Sequence, residues 1–472
     1  MDEFASEHMP TVQEQYGRLV SVSLPAEGID PMAALAWAQG QPRFFWSSQR
    51  DDLTLVGIGS AVELVAYGEA RFEAIQRQAA DLFDGAVLVG EGQAQAGPRL
   101  FGGFAFRDDA VPDEAWSDFP PAHFVLPHYQ LSHSSVGTWL TLNAHIPADE
   151  DPASLTGDLH DALHERISEL QQVAMPVLSM PAPDALTYPM SYDAWETMLN
   201  DAVGRIRAGE LKKVVLSRVA EARYRDPVHI EAALAYLADA YADCYRFMFE
   251  PRPQRAFYGA TPELLAKAEG DRARSMALAG SMKRGDTPES DAEFGQALLD
   301  SKKDRHEHQL VADRLRDRLK PLTSELTIGQ TGLLKLSNIQ HIYTPVSGTL
   351  KQPKGILPLV EALHPTPALG GEPRDIALPL ISELEPVPRG WYAAPVGWID
   401  HRLDGQFSVA IRSAVAQKNR VWMYAGAGIV ADSEPSKEWD ETALKFTPML
   451  KAHNAVLSAE KSNHKDTENT ER

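Results

Sequence analysis

The chain has 472 residues, of which 44% are hydrophobic and 24% are charged, so it can build one large domain or two ordinary ones. Its 66 acidic residues exceed its 45 basic residues and give a formal net charge of −21 at pH 7. This charge argues against a nucleic-acid-binding protein, which needs a basic surface. The single cysteine, Cys244, excludes an intrachain disulfide and a zinc finger.

Nothing in the apolar segments or the first residues indicates a membrane or an export route. No apolar run approaches the length that spans a bilayer. The acidic, polar start MDEFASEHMPTVQEQ is unlike a secretory signal. We therefore expect a cytoplasmic protein with neither membrane nor nucleic acid as a partner. The polar segments 1–12 and 459–472 are predicted to be disordered.

The first part of the chain is predicted to be rich in strands. One helix near 70–83 interrupts them, another covers 155–175, and the four prolines of 176–190 indicate a connector. The predicted strands, all between about residues 15 and 150, are RLVSVSL, RFFWSS, LTLVGIG, GGFAFR, HFVLPHYQLSH and TWLTLNAHI.

The second part carries clearer periodic signals. DAWETMLNDAVGRIRAG has the apolar stripe of a helix, and KVVLS is typical of a buried strand. One long helix is predicted over 290–320, three strands over 391–430 and a last helix over 436–458. This mixture predicts an α+β fold with mainly antiparallel strands.

Two of the predicted helices each carry a pair of acids three residues apart. Asp304 and Glu307 form one pair; Glu438 and Glu441 form the other, with Lys445 on the same face. If the two faces met, four carboxylates would repel unless a cation lay between them, and oxygen ligands suit Mg²⁺. The spacing alone is more typical of two solvated helix faces.

Nine motifs in the second part occur in one order and together resemble the chorismate-binding enzymes. This family includes isochorismate synthases, salicylate synthases, anthranilate synthase large subunits and aminodeoxychorismate synthases. The resemblance marks 190–456 as the catalytic region, and 13–175 would be the more variable first part of the same fold. The motifs are KVVLSR, FYGATPELL, ALAGSMKRG, SKKDRHEH, IQHIYTPVSGTL, LHPTPALGGEPRDIA, RGWYAAPVGWID, VAIRSA and YAGAGIVADSEPSKEWDETALK.

The resemblance implies one large α/β domain, with two layered, mainly antiparallel sheets flanked by helices. It also implies a Mg²⁺ ion bound directly by Glu307 and Glu441, with Asp304 and Glu438 acting through water. Isochorismate synthases of the family tend to be monomers, so we expect a monomer, with a dimer as the alternative.

Further residues are implied to bind the substrate, chorismate. Arg412 and Lys445 would meet its carboxylates, since a planar guanidinium suits bidentate contact. Tyr392 is equally consistent with a packed core, and His364 could either lie near the reacting ring carbon or simply fix its loop. The remaining implied contacts are Gly280, Ser281, Gly426 and Gly428.

The reaction is indicated by three residues of these motifs. In water-using members the position of Lys213 holds the general base, which must be neutral to accept a proton, whereas ammonia-using members carry glutamine there. Glu263, in ATPELL, would be the general acid and needs a raised pKa to hold its proton. Ala279 replaces the lysine nucleophile of aminodeoxychorismate synthases, which argues against amination.

We therefore predict an isomerase: an Mg²⁺-dependent isochorismate synthase that reversibly converts chorismate to isochorismate and feeds menaquinone or siderophore biosynthesis. A salicylate synthase, which would also eliminate pyruvate, is the alternative, and an anthranilate synthase large subunit is more distant. A non-catalytic acidic interaction protein is disfavoured because Lys213, Glu263, Glu307 and Glu441 are all present.

Overall fold

The computed structural model describes residues 11–90, 95–109, 112–147, 150–177 and 179–455. The helices of these ranges are α1 (Val12–Tyr16), α2 (Pro31–Trp37), α3 (Arg71–Phe83), α4 (Pro152–Leu170), α5 (Tyr192–Arg207), α6 (Ile230–Ala240), α7 (Pro288–Asp300), α8 (Lys302–Leu319), α9 (Leu357–Leu363), α10 (Arg374–Leu384) and α11 (Pro435–Ala452).

The strands of the same ranges are β1 (Arg18–Pro25), β2 (Arg43–Ser48), β3 (Leu53–Ile58), β4 (Val62–Ala66), β5 (Val87–Val89), β6 (Arg99–Phe104), β7 (Ala122–Leu126), β8 (Tyr129–Ser134), β9 (Gly137–Ile146), β10 (Ala185–Thr187), β11 (Lys213–Arg223), β12 (Tyr245–Arg252), β13 (Arg255–Thr261), β14 (Leu264–Glu269), β15 (Arg272–Lys283), β16 (Thr323–Ile328), β17 (Gly332–Lys335), β18 (Ile339–Leu350), β19 (Gly371–Glu372), β20 (Pro395–Asp400), β21 (Gly405–Val409), β22 (Ser413–Gln417) and β23 (Arg420–Ile429).

These strands form two large sheets. The first has the order β10-β11-β23-β22-β13-β12-β2-β3-β8-β9-β1-β5, with β19 beside β11. The second has the order β16-β18-β15-β14-β21-β20-β6-β7-β4, with β17 beside β18. The short contact of β1 with β5 is parallel, whereas the long ladders, such as β11 with β23, are antiparallel. The predicted α+β class with two mainly antiparallel sheets is confirmed.

The main core lies between the two sheets. Phe44 of the first sheet stacks on Phe101 of the second, with ring centroids 5.9 Å apart. A second apolar cluster lies on the other face of the first sheet, under α2, α4, α6 and α11. Helices α3, α8 and α9 contact strands of the second sheet, so both sheets are layered between helices.

The two parts of the chain share these sheets. Strand β2, from the first part, pairs with β12, from the second, and Trp46 stands opposite Phe247. Both aromatic side chains are buried in the core between the sheets. The first part therefore completes the same sheets and core as the second part.

The predicted single helix over 290–320 is wrong, because Ser301 divides it into α7 and α8. Ser301 is extended (φ −62°, ψ 117°) and its side chain accepts a hydrogen bond from the backbone N–H of Asp304. Serine is a favoured N-cap because its oxygen satisfies a free backbone donor of the first turn. The break places Asp304 in the first turn of α8.

Two predicted strands are each divided between the sheets. HFVLPHYQLSH contains β7 of the second sheet and β8 of the first, separated at Pro127, which cannot donate a hydrogen bond to a ladder. FSVAIRSAVA contains β21 and β22, separated at Arg412, whose φ is 51°. The segment 391–430 therefore holds four strands and not three.

The ends of the chain depart from the prediction in detail. Of segment 1–12, residues 1–10 lie outside the described residues, and Thr11 caps helix α1, where Val12 is buried. The last helix ends at Ala452, and 459–472 lie outside the described residues. The connector 176–190 contains the short strand β10.

No helix within the described ranges is long and apolar enough to cross a membrane.

Candidate active site

A cleft lies where strands of both sheets meet α8 and α11. Strands β11 and β23 of the first sheet and β15 and β18 of the second contribute to its walls. Most of the predicted site residues line it, namely Glu263, Gly280, Ser281, Glu307, Tyr392, Arg412, Gly426, Gly428, Glu441 and Lys445.

Lys213 lies behind this lining, at the start of β11. It is fully buried, and its Nζ donates a hydrogen bond to Glu307 Oε1 over 2.8 Å. A Cβ at position 428 would lie 2.5 Å from Glu307 Oε1 and 2.9 Å from Lys213 Cε. Because glycine has no Cβ, position 428 leaves room for this ion pair.

Glu263 stands between β13 and β14 with only 3% of its surface exposed. Burial raises the pKa of its carboxyl to about 8, against the opposing charges of Lys213 and Lys445. The carboxyl thus keeps its proton near neutral pH, as the predicted general acid requires. Lys445 lines the same cleft as Glu263.

Both acids of the α11 pair form ion pairs with lysines. Lys445 pairs with Glu441 over 2.6 Å, and Lys303 pairs with Glu438 over 2.7 Å. Burial raises the pKa of Glu438, and the neighbouring carboxylate of Glu441 adds to the effect. Asp304 accepts a hydrogen bond from the hydroxyl of Ser301 and lies behind Gly280, outside the cleft lining.

The four acids suit a hydrated divalent cation more than a closed metal cage. Within the described residues, no three or more His, Cys, Asp or Glu side chains are arranged to hold a metal. Mg²⁺, however, keeps several waters and takes only one or two direct carboxylates. Glu307 and Glu441 offer such oxygens in the cleft. Burial, with the repulsion of Glu307 and Glu441, raises the pKa of Asp304, so a cation there would relieve this repulsion.

The cleft also holds cations that can meet an anion. Arg412 is buried, and its Nη1 has no hydrogen-bond partner among the described residues. Its Nη2 lies 3.4 Å from His341 Nε2. Lys445 donates to the backbone oxygen of Gly426 over 2.9 Å. A buried guanidinium whose N–H donor makes no hydrogen bond destabilises the folded protein unless a ligand accepts that bond.

His341 and Tyr424 line the cleft but were not singled out in the sequence. His341 Nδ1 lies 2.9 Å from Ser281 Oγ, and burial beside Arg412 lowers its pKa well below the usual value, which keeps it neutral. Tyr424 stacks on Tyr392 with centroids 5.1 Å apart. Both stand within quoted motifs, but which face of a strand meets the cleft depends on how the sheets pack.

His364 lies outside the cleft lining. Its Nε2 is 3.1 Å from the backbone oxygen of Phe106, and its ring packs between Phe72 and Phe106. Ala368 and Leu369, from the same loop, do line the cleft. The loop therefore reaches the site, while the histidine makes the contacts of a loop-fixing residue.

A buried acid with a raised pKa, a buried amine and an arginine with an unused donor lie around one cleft, and this combination fits a candidate active site for a small anionic substrate. The chain matches the family model described as chorismate binding enzyme over residues 5–454. The protein belongs to the chorismate-binding enzyme family.

Several relatives are similar along nearly the whole chain. The isochorismate synthase MenF of Bacillus subtilis is 34% identical over 448 residues, covering 92% of this chain and 93% of that protein. The salicylate biosynthesis isochorismate synthase of Pseudomonas aeruginosa is 37% identical over 443 residues, covering 93% and 90%. The solved structure of the menaquinone-specific isochorismate synthase MenF of Escherichia coli superposes with a TM-score of 0.75 at 25% identity, covering 92% and 94%.

Proposed function

We propose that this protein is an isochorismate synthase, an isomerase that converts chorismate reversibly into isochorismate. The observation that carries the proposal is Glu263, a carboxyl that burial keeps protonated in the cleft beside a buried lysine. The reaction needs such a pair, because water must lose a proton as it adds to the ring and the departing hydroxide must gain one.

In this proposal the substrate is held by its two carboxylates. Arg412 offers the guanidinium donor that has no partner within the described residues, and Lys445 offers a second cation. Lys445 would exchange its bonds to Glu441 and to the Gly426 carbonyl for one to the substrate. The stacked rings of Tyr392 and Tyr424 would flank the bound molecule on one side.

Lys213 is assigned as the general base and Glu263 as the general acid. The Lys213 amine must first leave Glu307, to which it now donates a hydrogen bond, and deprotonate. It would then take a proton from the attacking water, while the Glu263 carboxyl donates its own proton to the leaving hydroxyl. Reversibility follows because each group ends in the protonation state that the reverse reaction needs.

Glu307 and Glu441 would hold a Mg²⁺ ion, with Asp304 and Glu438 orienting its waters. When bound, the ion would supply positive charge that orients and neutralises a substrate carboxylate. The donor set supports this assignment because it consists of carboxylate oxygens only.

Ala279 supports a reaction with water over covalent amination. It lines the cleft where aminodeoxychorismate synthases, by resemblance, carry a nucleophilic lysine. The relatives serve different pathways, menaquinone in one case and salicylate in another. Three points stay predictions: that the protein supplies menaquinone or siderophore synthesis, that it is cytoplasmic, and that it is a monomer or a dimer.

The experiment that tests the function is incubation of the purified protein with chorismate and Mg²⁺ in the absence of ammonia. Chromatography should show isochorismate approaching a constant ratio to chorismate. Salicylate with pyruvate would replace the proposal by a salicylate synthase. Anthranilate formed only after ammonia is added would contradict the assignment of Lys213.

A further inference from the structure

Lys303 bridges the two helices that carry the acid pairs. It lies in the first turn of α8, and its Nζ donates to Glu438 Oε1 of α11 over 2.7 Å. The Glu438 side chain is 1% exposed, whereas the Lys303 side chain is 33% exposed. The ammonium therefore reaches from the surface to a carboxylate that has almost no contact with water.

Lys303 differs from the other two lysines of the cluster. Lys213 and Lys445 also pair with acids, but each has a part in the proposed reaction. Lys303 does not line the cleft, so it has no comparable contact with a substrate. The contact that holds its ammonium in place is therefore the one with the acid Glu438.

The charges around Lys303 show what its ammonium does there. The ammonium of Lys303 contacts the Glu438 carboxylate of α11, and Lys303 directly precedes Asp304 in the first turn of α8. The lysine thus places its charge among the acids that would bind the metal. A divalent cation entering this cluster meets a positive charge that is already in place.

We propose that Lys303 is a built-in counter-ion of the metal site, which holds α11 against α8 before the metal binds and competes with a divalent cation for the same carboxylates. This inference rests on the metal site of the proposed function. Lys303 is a positioning residue and sets the metal affinity. Its removal should make the metal-free protein less stable and the metal-bound protein easier to form.

The test is calorimetric titration of the full chain with MgCl₂, without substrate and at constant ionic strength. Lys303→Met should bind Mg²⁺ about tenfold more tightly than the parent, because the repulsion between the ammonium and the cation is lost. Lys302→Met is the matched control, since Lys302 is the exposed neighbour on the same helix, and it should bind like the parent. Thermal unfolding should show a lower midpoint for Lys303→Met without metal and a larger rise on addition of Mg²⁺.

Lys303→Arg, which keeps the charge, should bind Mg²⁺ like the parent. If Lys303→Met does not fold, Lys303→Gln provides the second comparison and should bind Mg²⁺ more tightly than the charged Lys303→Arg. Unchanged or weaker binding by Lys303→Met, or no binding by the parent, would overturn the inference. The proposed function is judged separately by the chorismate assay, so a failure of one is distinguishable from a failure of the other.

Discussion

Glu263 shows how the surroundings of one side chain change its charge state. Burial raises the pKa of its folded-state carboxyl to about 8, whereas in the unfolded chain it returns to about 4.3. Between these values the unfolded chain releases a proton that the folded protein keeps. The free energy of unfolding therefore falls as pH rises through this window, by about 1.4 kcal/mol for each unit by which the two pKa values differ.

We expect Glu263→Gln to remove this pH dependence of the free energy of unfolding, because glutamine has a similar shape and no charge. The variant should equal the parent in unfolding midpoint near pH 4 and exceed it at pH 8.5. Its turnover of chorismate should fall about 10²–10⁴-fold with the loss of the acid. Glu293→Gln, on the exposed face of α7, serves as the control and should change neither property. A parent and a Glu263→Gln variant with parallel pH–stability profiles would contradict the raised pKa.

Lys213 and Lys212 offer a matched pair for the proposed base. Lys213 is fully buried beside Glu307, whereas Lys212 is exposed. Lys213→Ala should lose about 10²–10⁴-fold in kcat while chorismate binding, measured by calorimetry, persists. Lys212→Ala should keep the parental kcat. Near-parental turnover by Lys213→Ala would show that another group accepts the proton.

At the scale of elements, strand β23 and helix α8 approach each other at one glycine. A Cβ at position 428 would press on both members of the Lys213–Glu307 pair, at 2.9 and 2.5 Å. Gly428→Ala should therefore displace the pair, lower the stability by about 1–3 kcal/mol and raise the Mg²⁺ concentration needed for activity.

Gly332→Ala, in strand β17, is the control for this substitution. A Cβ there meets no atom within 4 Å, so stability and Mg²⁺ requirement should stay parental. Denaturant unfolding and a Mg²⁺ titration of chorismate turnover measure both effects. A Gly428→Ala variant with the parental Mg²⁺ requirement would show that the close approach at β23 does not position Glu307.

At the scale of the whole molecule, one buried ion cluster joins the two parts of the chain. Arg43 of β2 pairs with Glu231 of α6 and, over 2.6 Å, with Glu250 of β12; the three side chains are 3% exposed. Removing one partner from such a cluster leaves buried charge without compensation, which typically costs about 3–5 kcal/mol.

Arg43→Leu should therefore lower the thermal unfolding midpoint clearly, even though the residue lies outside the cleft lining. Arg205→Leu is the comparison, since Arg205 pairs with Asp201 and Glu383 at the surface, where ion pairs contribute about 0–1 kcal/mol. Differential scanning calorimetry of both variants measures the contrast. Equal midpoints for the two would show that the buried cluster does not hold the parts of the chain together.

Patterns of neighbouring residues determined much of this protein without a structure. Alternation and helical periodicity predicted most strands and helices, because side-chain direction within an element repeats at short, known intervals. The ordered motifs identified the family, and the spacing of Asp304 with Glu307 placed two acids on one helix face. These inferences rest on relations between residues that are close to one another in the sequence.

Only the tertiary structure decided which charged groups of these elements form pairs and where the elements approach each other closely. Nothing in the spacing predicted that Lys303 would pair with Glu438, that Gly428 would make room for Lys213, or that His364 would lie outside the cleft lining. The division of strands between two sheets at Pro127 and Arg412 was equally hidden. Each outcome depends on which surfaces pack together over large sequence separations, and packing also sets the burial that keeps Glu263 protonated.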